Sequence, residues 1–527
     1  MLVILLPLLC ASAWTYPGKV LRAVKAPFAH STGLTWDGQH LWVADHRQDR
    51  LICLDPENGA VLREIPSPGF WPMGLAWDGT YLWNVDSRQK KIFKVDPKDG
   101  TILAAIDAPG NNPEALAWDG TTLWVSDVAD RTIMKLDLSD GTAVQTFPVP
   151  AQSAQGLAFD GTYLWCADRM TDELSMIDPR TGDVIVVLKS PGPYPRGVAW
   201  DGRYLWNVDY QKDSLYQLVR QDNELFRTQE TKSYRMTLVH EAKVVGKGRL
   251  KELTVFLALP VAMPQQEILH VAFTPEPEGR VTDRWSQECA RLLYRDRPAG
   301  TTLSSVMTVE ARISSIQYFV FPDRCGTLAD IPADIRKAYT ANESKYQIDN
   351  PLIQEIAKSV LRSEKNPYWI ARAFFDTVRT RLEYKMEGGW NAAPVVLRRG
   401  TGSCSEYTFS FIALCRAAGI PARYVGAVVV RGDDASLDEA YHRWPEVYFA
   451  NYGWIPMDPQ GGDRPLPRDR AMYIGHLSNR FLITTRSGGG SEHLGWYYNT
   501  NESYQAEPQV RVEIEGFGEW EPLQGAR

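Results

Sequence analysis

The sequence of 527 residues has little of what marks several large protein classes. It has no excess of positive charge: 57 Lys and Arg stand against 64 Asp and Glu, a net of −7. That argues against a dedicated nucleic-acid binder, which carries a basic surface. Its apolar run from Leu2 to Cys10 is nine residues long, too short for a bilayer that needs about 20. No later run is long and apolar enough for a membrane helix. Cysteine and histidine are sparse, at seven and eight, and their spacing matches no zinc module. No calcium-loop pattern occurs, and no metal or cofactor is expected. Apolar residues are 44% and charged residues 23%, which excludes a chain disordered throughout or a collagen-like fibre. At roughly 100–200 residues per domain, about three domains are expected.

The start of the chain reads as an export signal. The apolar run is followed by Ala11-Ser12-Ala13, a small-residue cleavage pattern, although no Lys or Arg precedes Lys19. Leu9 argues against a lipid anchor on Cys10. A signal over 1–13 and a secreted or periplasmic mature chain follow. Removing Cys10 leaves six cysteines: Cys53, Cys166, Cys289, Cys325, Cys404 and Cys415. Cys289 and Cys325 fall in one expected domain and are candidates to pair. Cys53 and Cys166 lie in repeat strands and read as buried free thiols.

What the sequence does have is a period. Trp36, Trp77, Trp118, Phe159 and Trp200 are 41 apart, and each is followed by Asp-Gly. Six residues after each lead aromatic stands Trp42, Trp83, Trp124, Trp165 or Trp206. Three further on stands Asp45, Asp86, Asp127, Asp168 or Asp209. Each unit reads as four short strands, in the second unit near 74–77, 81–85, 91–95 and 102–106. Asp-Gly suits the first hairpin. Four strands at this period form a β-propeller blade. The last unit lacks a fourth strand, and 19–24 aligns with 60–64. The N-terminal strand is therefore expected to close a five-bladed propeller over 14–222. Six blades are the alternative if 220–235 adds strands. The repeated Asp residues read as turn ligands of the backbone rather than a cation ring. The Trp residues read first as blade packing and second as a platform for a protein or glycan ligand. The repeats resemble extracellular propellers of the NHL or glutaminyl-cyclase-like kind. They lack the Gly-His element of WD40 units.

From 223 to 335 the pattern becomes irregular strands. Leu253, Val255, Leu257 and Leu259 alternate, as do Val271 and Phe273, and Tyr318 and Val320. A β-sandwich of five to seven strands is expected. The last region, 336–527, opens with two helices started by Asn350-Pro351 and Asn366-Pro367. Then Gly402-Ser403-Cys404 leads into a helix with Tyr407, Phe411, Leu414, Cys415 and Ala418 on one face, stopped by Gly419-Ile420-Pro421. Cys404 sits at the helix N-terminus, where free N–H groups and the dipole favour a thiolate. Cys415 reads as core. Two antiparallel strands carry His442 and end at Asp458. A thiol, an imidazole and a carboxylate so placed are the parts of a Cys–His–Asp triad, with the Cys404 N–H available to an oxyanion. Arg423 and Glu446 read as a structural ion pair. His476 and His493 read as surface residues. The tail from 473 to 520 reads as strands extending the catalytic sheet.

The stretch from 350 to 462 resembles the transglutaminase-like superfamily. The resemblance rests on Gly402-Ser403-Cys404, Arg416-Ala417-Ala418-Gly419-Ile420-Pro421-Ala422-Arg423, His442-Arg443-Trp444-Pro445-Glu446 and Gly453-Trp454-Ile455-Pro456-Met457-Asp458-Pro459. Pro445 departs from the usual histidine strand. The middle region also resembles the sandwich that precedes this domain in bacterial members. The resemblance implies an α+β papain-like fold, with Cys404 as nucleophile, His442 as base and Asp458 as orienter. Tyr384 and Trp390 are candidate site-lining residues. The whole is then a multidomain chain of propeller, sandwich and papain-like domain. The implied activity is exported acyl transfer or hydrolysis at peptide or protein amide bonds, with hydrolysis favoured. The competing reading is a non-catalytic extracellular scaffold that binds through its propeller. A catalytic propeller lacks a lone Glu or His with metal spacing to support it.

Overall fold

A computed structural model of the chain describes residues 15–386 and 390–523. The expected signal, 1–13, with Cys10, lies outside the described residues. Two compact units divide the chain, 1–225 with 465–471, and 226–464 with 472–527.

In the first unit, five four-stranded antiparallel sheets follow one another. The innermost strands are Ser31–Trp36, Pro72–Trp77, Pro113–Trp118, Ala154–Phe159 and Pro195–Trp200. Each packs on the next, and the last returns to the first. Val20–Lys25 pairs with Ser214–Val219 as the outer strand of the fifth sheet. The five-bladed propeller is therefore closed by its N-terminal strand, which removes a free edge. Phe226–Arg464 belongs to the second unit, and among the described residues no sixth blade forms.

The hydrogen bonds explain why the repeat is so uniform. In each blade the Asp of Asp-Gly accepts from the backbone N–H groups two and three residues on. Its other oxygen accepts from the indole of Trp42, Trp83, Trp124, Trp165 or Trp206 at 2.7–3.0 Å. The glycine that follows has φ of 93–102°, a conformation open to glycine. One turn thus fixes a hairpin and anchors a buried Trp. The inner strands approach closely: a Cβ on Gly33 would lie 2.1 Å from the Met73 carbonyl. The short helix Pro467–Ala471 also clusters in this unit, where Arg468 donates through Nε to Glu173 at 2.8 Å.

In the second unit, the middle of the chain supplies six strands from Phe226–Gly246 to Thr302–Tyr318. They form two sheets around a core that includes Leu253, Val255, Leu257 and Leu259. The tail corrects one expectation. Phe481–Ser487 does extend the sheet of Ala422–Val429 and His442–Phe449, but Thr500–Ala506 and Val510–Pro522 join the two sandwich sheets. The long strand Phe226–Gly246 leaves one edge open after pairing Thr302–Tyr318, and the last strand covers it over 13 residue pairs. Among the described residues all six cysteines are free, so Cys289 and Cys325 do not pair. Cys289 lies in a sandwich strand and Cys325 beyond the short helix Pro322–Arg324.

The helices Pro351–Leu361 and Pro367–Arg381 start where the Asn-Pro pairs placed them. Asn350 and Asn366 each accept from the N–H two residues on, at 3.0 and 2.9 Å. Cys404–Ala417 packs on both and on the strand His442–Phe449. The sheet beside this helix runs Gly453–Pro456, His442–Phe449, Ala422–Val429, Phe481–Ser487. Pro445 lies in this inner strand where the pairing to Gly453–Pro456 ends, and its carbonyl accepts from the Met457 N–H. No helix of the described residues is long and apolar enough to cross a membrane.

Candidate active site

The helix Cys404–Ala417 is buried on every side from Cys404 to Arg416, not along one stripe. Its first turn is held by one carboxylate. Glu406, with no exposed surface, accepts from the Ser403 N–H at 3.1 Å and from Arg399 at 2.9 Å. It also accepts from the Asn391 backbone and side chain at 2.9 and 3.2 Å. The turn before Cys404 and the Trp390-Asn391 segment are thereby tied to the same group. Thr408 bonds the Cys404 carbonyl at 2.8 Å and lies 3.1 Å from that of Arg443, which links the helix to the histidine strand.

Cys404 is 8% exposed. His442 Nε2 lies 2.8 Å from Asp458 Oδ2, which leaves Nδ1 for the thiol. Asp458 Oδ1 accepts from the Gln460 and Gly461 N–H groups, both at 3.1 Å. Its carboxylate is thus aimed by its own turn. Gly461 is part of that aim: a Cβ there would lie 2.3 Å from the Tyr473 ring and 2.8 Å from Asp458 Oδ2. Trp444 and Phe481 pack beside the imidazole, with centroids 5.6 and 5.8 Å from it.

Electrostatics follow from this geometry. Burial pushes the Cys404 thiol up. The His442 imidazole, by hydrogen bond and charge, and Arg443, by its backbone and its charge, outweigh burial, and the thiol ends below its ordinary value. Burial pushes His442 down, but the charge and hydrogen bond of Asp458, and then those of Cys404, carry it well above its ordinary value. Both shifts favour a thiolate beside an imidazolium. At Cys415 burial outweighs the charge of Arg416 and pushes the thiol well up.

Arg443 has no place in the triad reading, yet it is fully buried beside it. Its guanidinium lies 4.3 Å from the Tyr498 ring, 4.6 Å from Tyr424, 4.9 Å from Trp390 and 5.0 Å from Phe409. Nη2 donates to the Trp496 carbonyl, while Nε and Nη1 have no partner among the described residues. This is a cation held by aromatic faces instead of a carboxylate. The cage needs Gly426, since a Cβ there would meet the Tyr498 ring at 2.5 Å. Neither Arg443 nor Glu406 was assigned a role from sequence. Ser403-x-x-Glu406 is a capping-box spacing and could have flagged the second; an arginine inside a strand gives no such signal.

The remaining candidates fall as follows. Trp390 packs on Tyr497 and Tyr498, 4.7 and 6.1 Å between centroids. Tyr384 is exposed, and its hydroxyl is pushed up by burial of its inner part and by the charge of Cys404. Arg423 and Glu446 face each other across the sheet with Nε to Oε2 at 2.8 Å, as a buried ion pair. His476 lies in a two-residue strand and His493 packs on Phe256. In the propeller, Asp86, Asp127, Asp168 and Asp209 each bond backbone N–H groups on both oxygens, and Asp45 does so on one. Asp37, His40 and Cys53 bring donor atoms within 4.8 Å of one another. Both Asp37 oxygens are already bonded to Trp42 and to backbone, and burial pushes the Cys53 thiol up to about 12. These donors suit the turn better than an ion.

Residues 354–459 match the transglutaminase-like superfamily, and this part of the chain is a transglutaminase-like domain. No curated protein matches the chain. Among solved structures, a proposed cysteine protease from Cytophaga hutchinsonii is 18% identical at a TM-score of 0.40, covering 55% of this chain and 93% of that one. Glutaminyl cyclase from Myxococcus xanthus is 17% identical at 0.34, covering 38% and 95%. Virginiamycin B lyase from Staphylococcus aureus is 16% identical at 0.27, covering 37% and 67%.

Proposed function

We propose that the chain is an exported cysteine enzyme that cleaves or transfers acyl groups at peptide or protein amide bonds. The observation that carries this reading is the thiol of Cys404, lowered at the start of a buried helix, with His442 held against Asp458 at 2.8 Å. The Cys404 thiolate attacks the amide carbon and forms the C–S bond. The oxyanion takes the Cys404 backbone N–H, which is free at the first turn of the helix. His442 gives its proton to the leaving nitrogen, the C–N bond breaks, and a thioester remains. Water then attacks, His442 takes its proton, and the carboxylic acid departs as the thiolate returns. An amine in place of water would give a new amide by the same steps. Asp458 keeps the imidazole in the needed orientation. Water is the acceptor we favour. Export rests on the Leu2–Cys10 run and Ala11-Ser12-Ala13.

The test is digestion of a peptide mixture by wild type and Cys404→Ala, with and without a fluorescent primary amine. New carboxyl termini that require Cys404 support hydrolysis. Amine incorporation that requires Cys404 moves the reading to crosslinking. Identical peptide profiles for both proteins would refute an acyl-transfer enzyme.

A further inference from the structure

The residue before His442 is held in a conformation it does not favour. Tyr441 has a φ of 52°, a left-handed backbone that is uncommon for a bulky residue and persists only where the surroundings enforce it. His442 opens the strand His442–Phe449, and its pair with Ala427 is the last of the ladder to Ala422–Val429. The direction of the chain at His442, and so the aim of its imidazole, is set on one side by the sheet and on the other by Tyr441.

One buried carboxylate supplies the hold. Asp438 is 1% exposed. Its Oδ1 accepts from the Tyr441 N–H at 3.1 Å and from Arg431 Nε at 2.9 Å. Its Oδ2 accepts from the Val429 N–H at 2.8 Å, on the strand that pairs with His442. Asp438 thus ties the residue before His442 to the strand beside it. It is braced in turn by the chain's last strand. Ser436–Asp438 pairs with Val510–Pro522, which itself lies along Phe226–Gly246. The last strand also passes close to both flanks of His442. A Cβ on Gly518 would lie 2.4 Å from Val428, and one on Gly516 would lie 3.5 Å from the Tyr441 hydroxyl. Tyr441 packs against the core that holds Val428, Val430 and Trp520.

We propose that Asp438 is a positioning residue: braced by the last strand, it holds Tyr441 left-handed and so keeps the His442 imidazole aimed at Cys404 and Asp458. The role rests on the reading of His442 as the base. Without the carboxylate, Tyr441 relaxes to the negative φ a bulky residue prefers. The chain entering His442 then turns, and the imidazole leaves its place 2.8 Å from Asp458 Oδ2. Loss of a buried carboxylate lowers stability wherever it stands; loss of aim at His442 is what marks this one.

The experiment uses the full chain and reads the rate of Cys404 alkylation by iodoacetamide against pH, with thermal unfolding alongside. Asp438→Asn keeps the shape but turns an NH2 group toward N–H donors on one side. It should slow alkylation about tenfold at neutral pH and move the profile toward an ordinary thiol, near 8.5. Tyr441→Val leaves the carboxylate in place but puts a β-branched residue at the left-handed position; it should slow alkylation likewise, and it carries the test if Asp438→Asn does not fold. Adding Tyr441→Gly to Asp438→Asn should restore the rate threefold or more, because glycine takes this φ without strain. A residue that only stabilises the fold would give no such rescue, since glycine removes a packed ring. His442→Ala is the reference. If His442→Ala reacts as fast as wild type, the acyl-transfer reading falls and this one with it. If His442→Ala is slow while folded Asp438→Asn and Tyr441→Val keep the wild-type rate and profile, or if glycine gives no rescue, the positioning role alone is overturned.

Discussion

Arg443→Met tests whether a buried cation outside the triad sets the state of the nucleophile. The substitution removes the charge but keeps an unbranched side chain in the aromatic cage, and it leaves the Arg443 backbone hydrogen bond to Cys404 in place. Among the influences that lower the thiol, the Arg443 charge ranks behind both effects of His442 and behind that backbone bond. Its loss should therefore cost less than loss of His442. A cation's charge at such a site is worth on the order of 1 kcal/mol, about fivefold in the equilibrium constant between thiol and thiolate. Stability should respond differently. Met would lose the cation–π contacts and leave the Trp496 carbonyl without a donor, about 1–3 kcal/mol. It would also relieve two buried guanidinium nitrogens that have no partner. The two effects oppose, so unfolding should move little. The assay is the rate of Cys404 alkylation by iodoacetamide near pH 7, read by mass spectrometry, with thermal unfolding alongside. Arg443→Lys should recover most of the rate. Alkylation at the wild-type rate in Arg443→Met, with the fold intact, would refute the reasoning.

Other outcomes follow from single contacts. Gly461→Ala should slow turnover by tenfold or more with substrate binding little changed, because the new methyl displaces Asp458 or Tyr473; steady-state kinetics would show it. Glu406→Ala removes a buried carboxylate bonded to Ser403, Asn391 and Arg399, and should destabilise the second unit by about 3–5 kcal/mol in a denaturant titration. Alkylation of Cys404 should persist below the range of an ordinary thiol, near 8.5, and decline only as pH falls through its lowered value, when the thiolate is protonated. Since His442 is raised, the imidazolium should survive through neutral pH and be lost only on the alkaline side, measurable as an NMR titration of the ring. Deletion of Val20–Lys25 should expose the fifth blade's edge and lower the first unit's unfolding temperature, with aggregation on heating.

The propeller was legible because its determinants are local and repeated five times. Asp, Gly and Trp at fixed spacing specify one turn and one anchored indole, and closure by 19–24 followed from a missing fourth strand. The Asn-Pro helix starts, the alternating Leu253–Leu259 strand and the histidine and aspartate strands were legible for the same reason: capping and pleat act over a few residues. What the sequence hid is non-local. The tail strands were assigned to the nearest sheet in sequence, but Val510–Pro522 pairs with Phe226–Gly246, almost three hundred residues away. Cys289 and Cys325 were grouped by proximity along the chain, and only the fold separates them. Arg443 could not be read because its partners, Trp390, Phe409, Tyr424 and Tyr498, come from four different segments.

The most direct test of the central claim is the pH dependence of iodoacetamide alkylation at Cys404 in wild type and His442→Ala, with Cys415 of the same protein as the reference thiol. An activated nucleophile predicts rapid reaction at Cys404 at neutral pH, slowed tenfold or more by His442→Ala, with Cys415 unreactive until the protein unfolds. Reaction at Cys404 as slow as at Cys415, or unaffected by loss of His442, would contradict it.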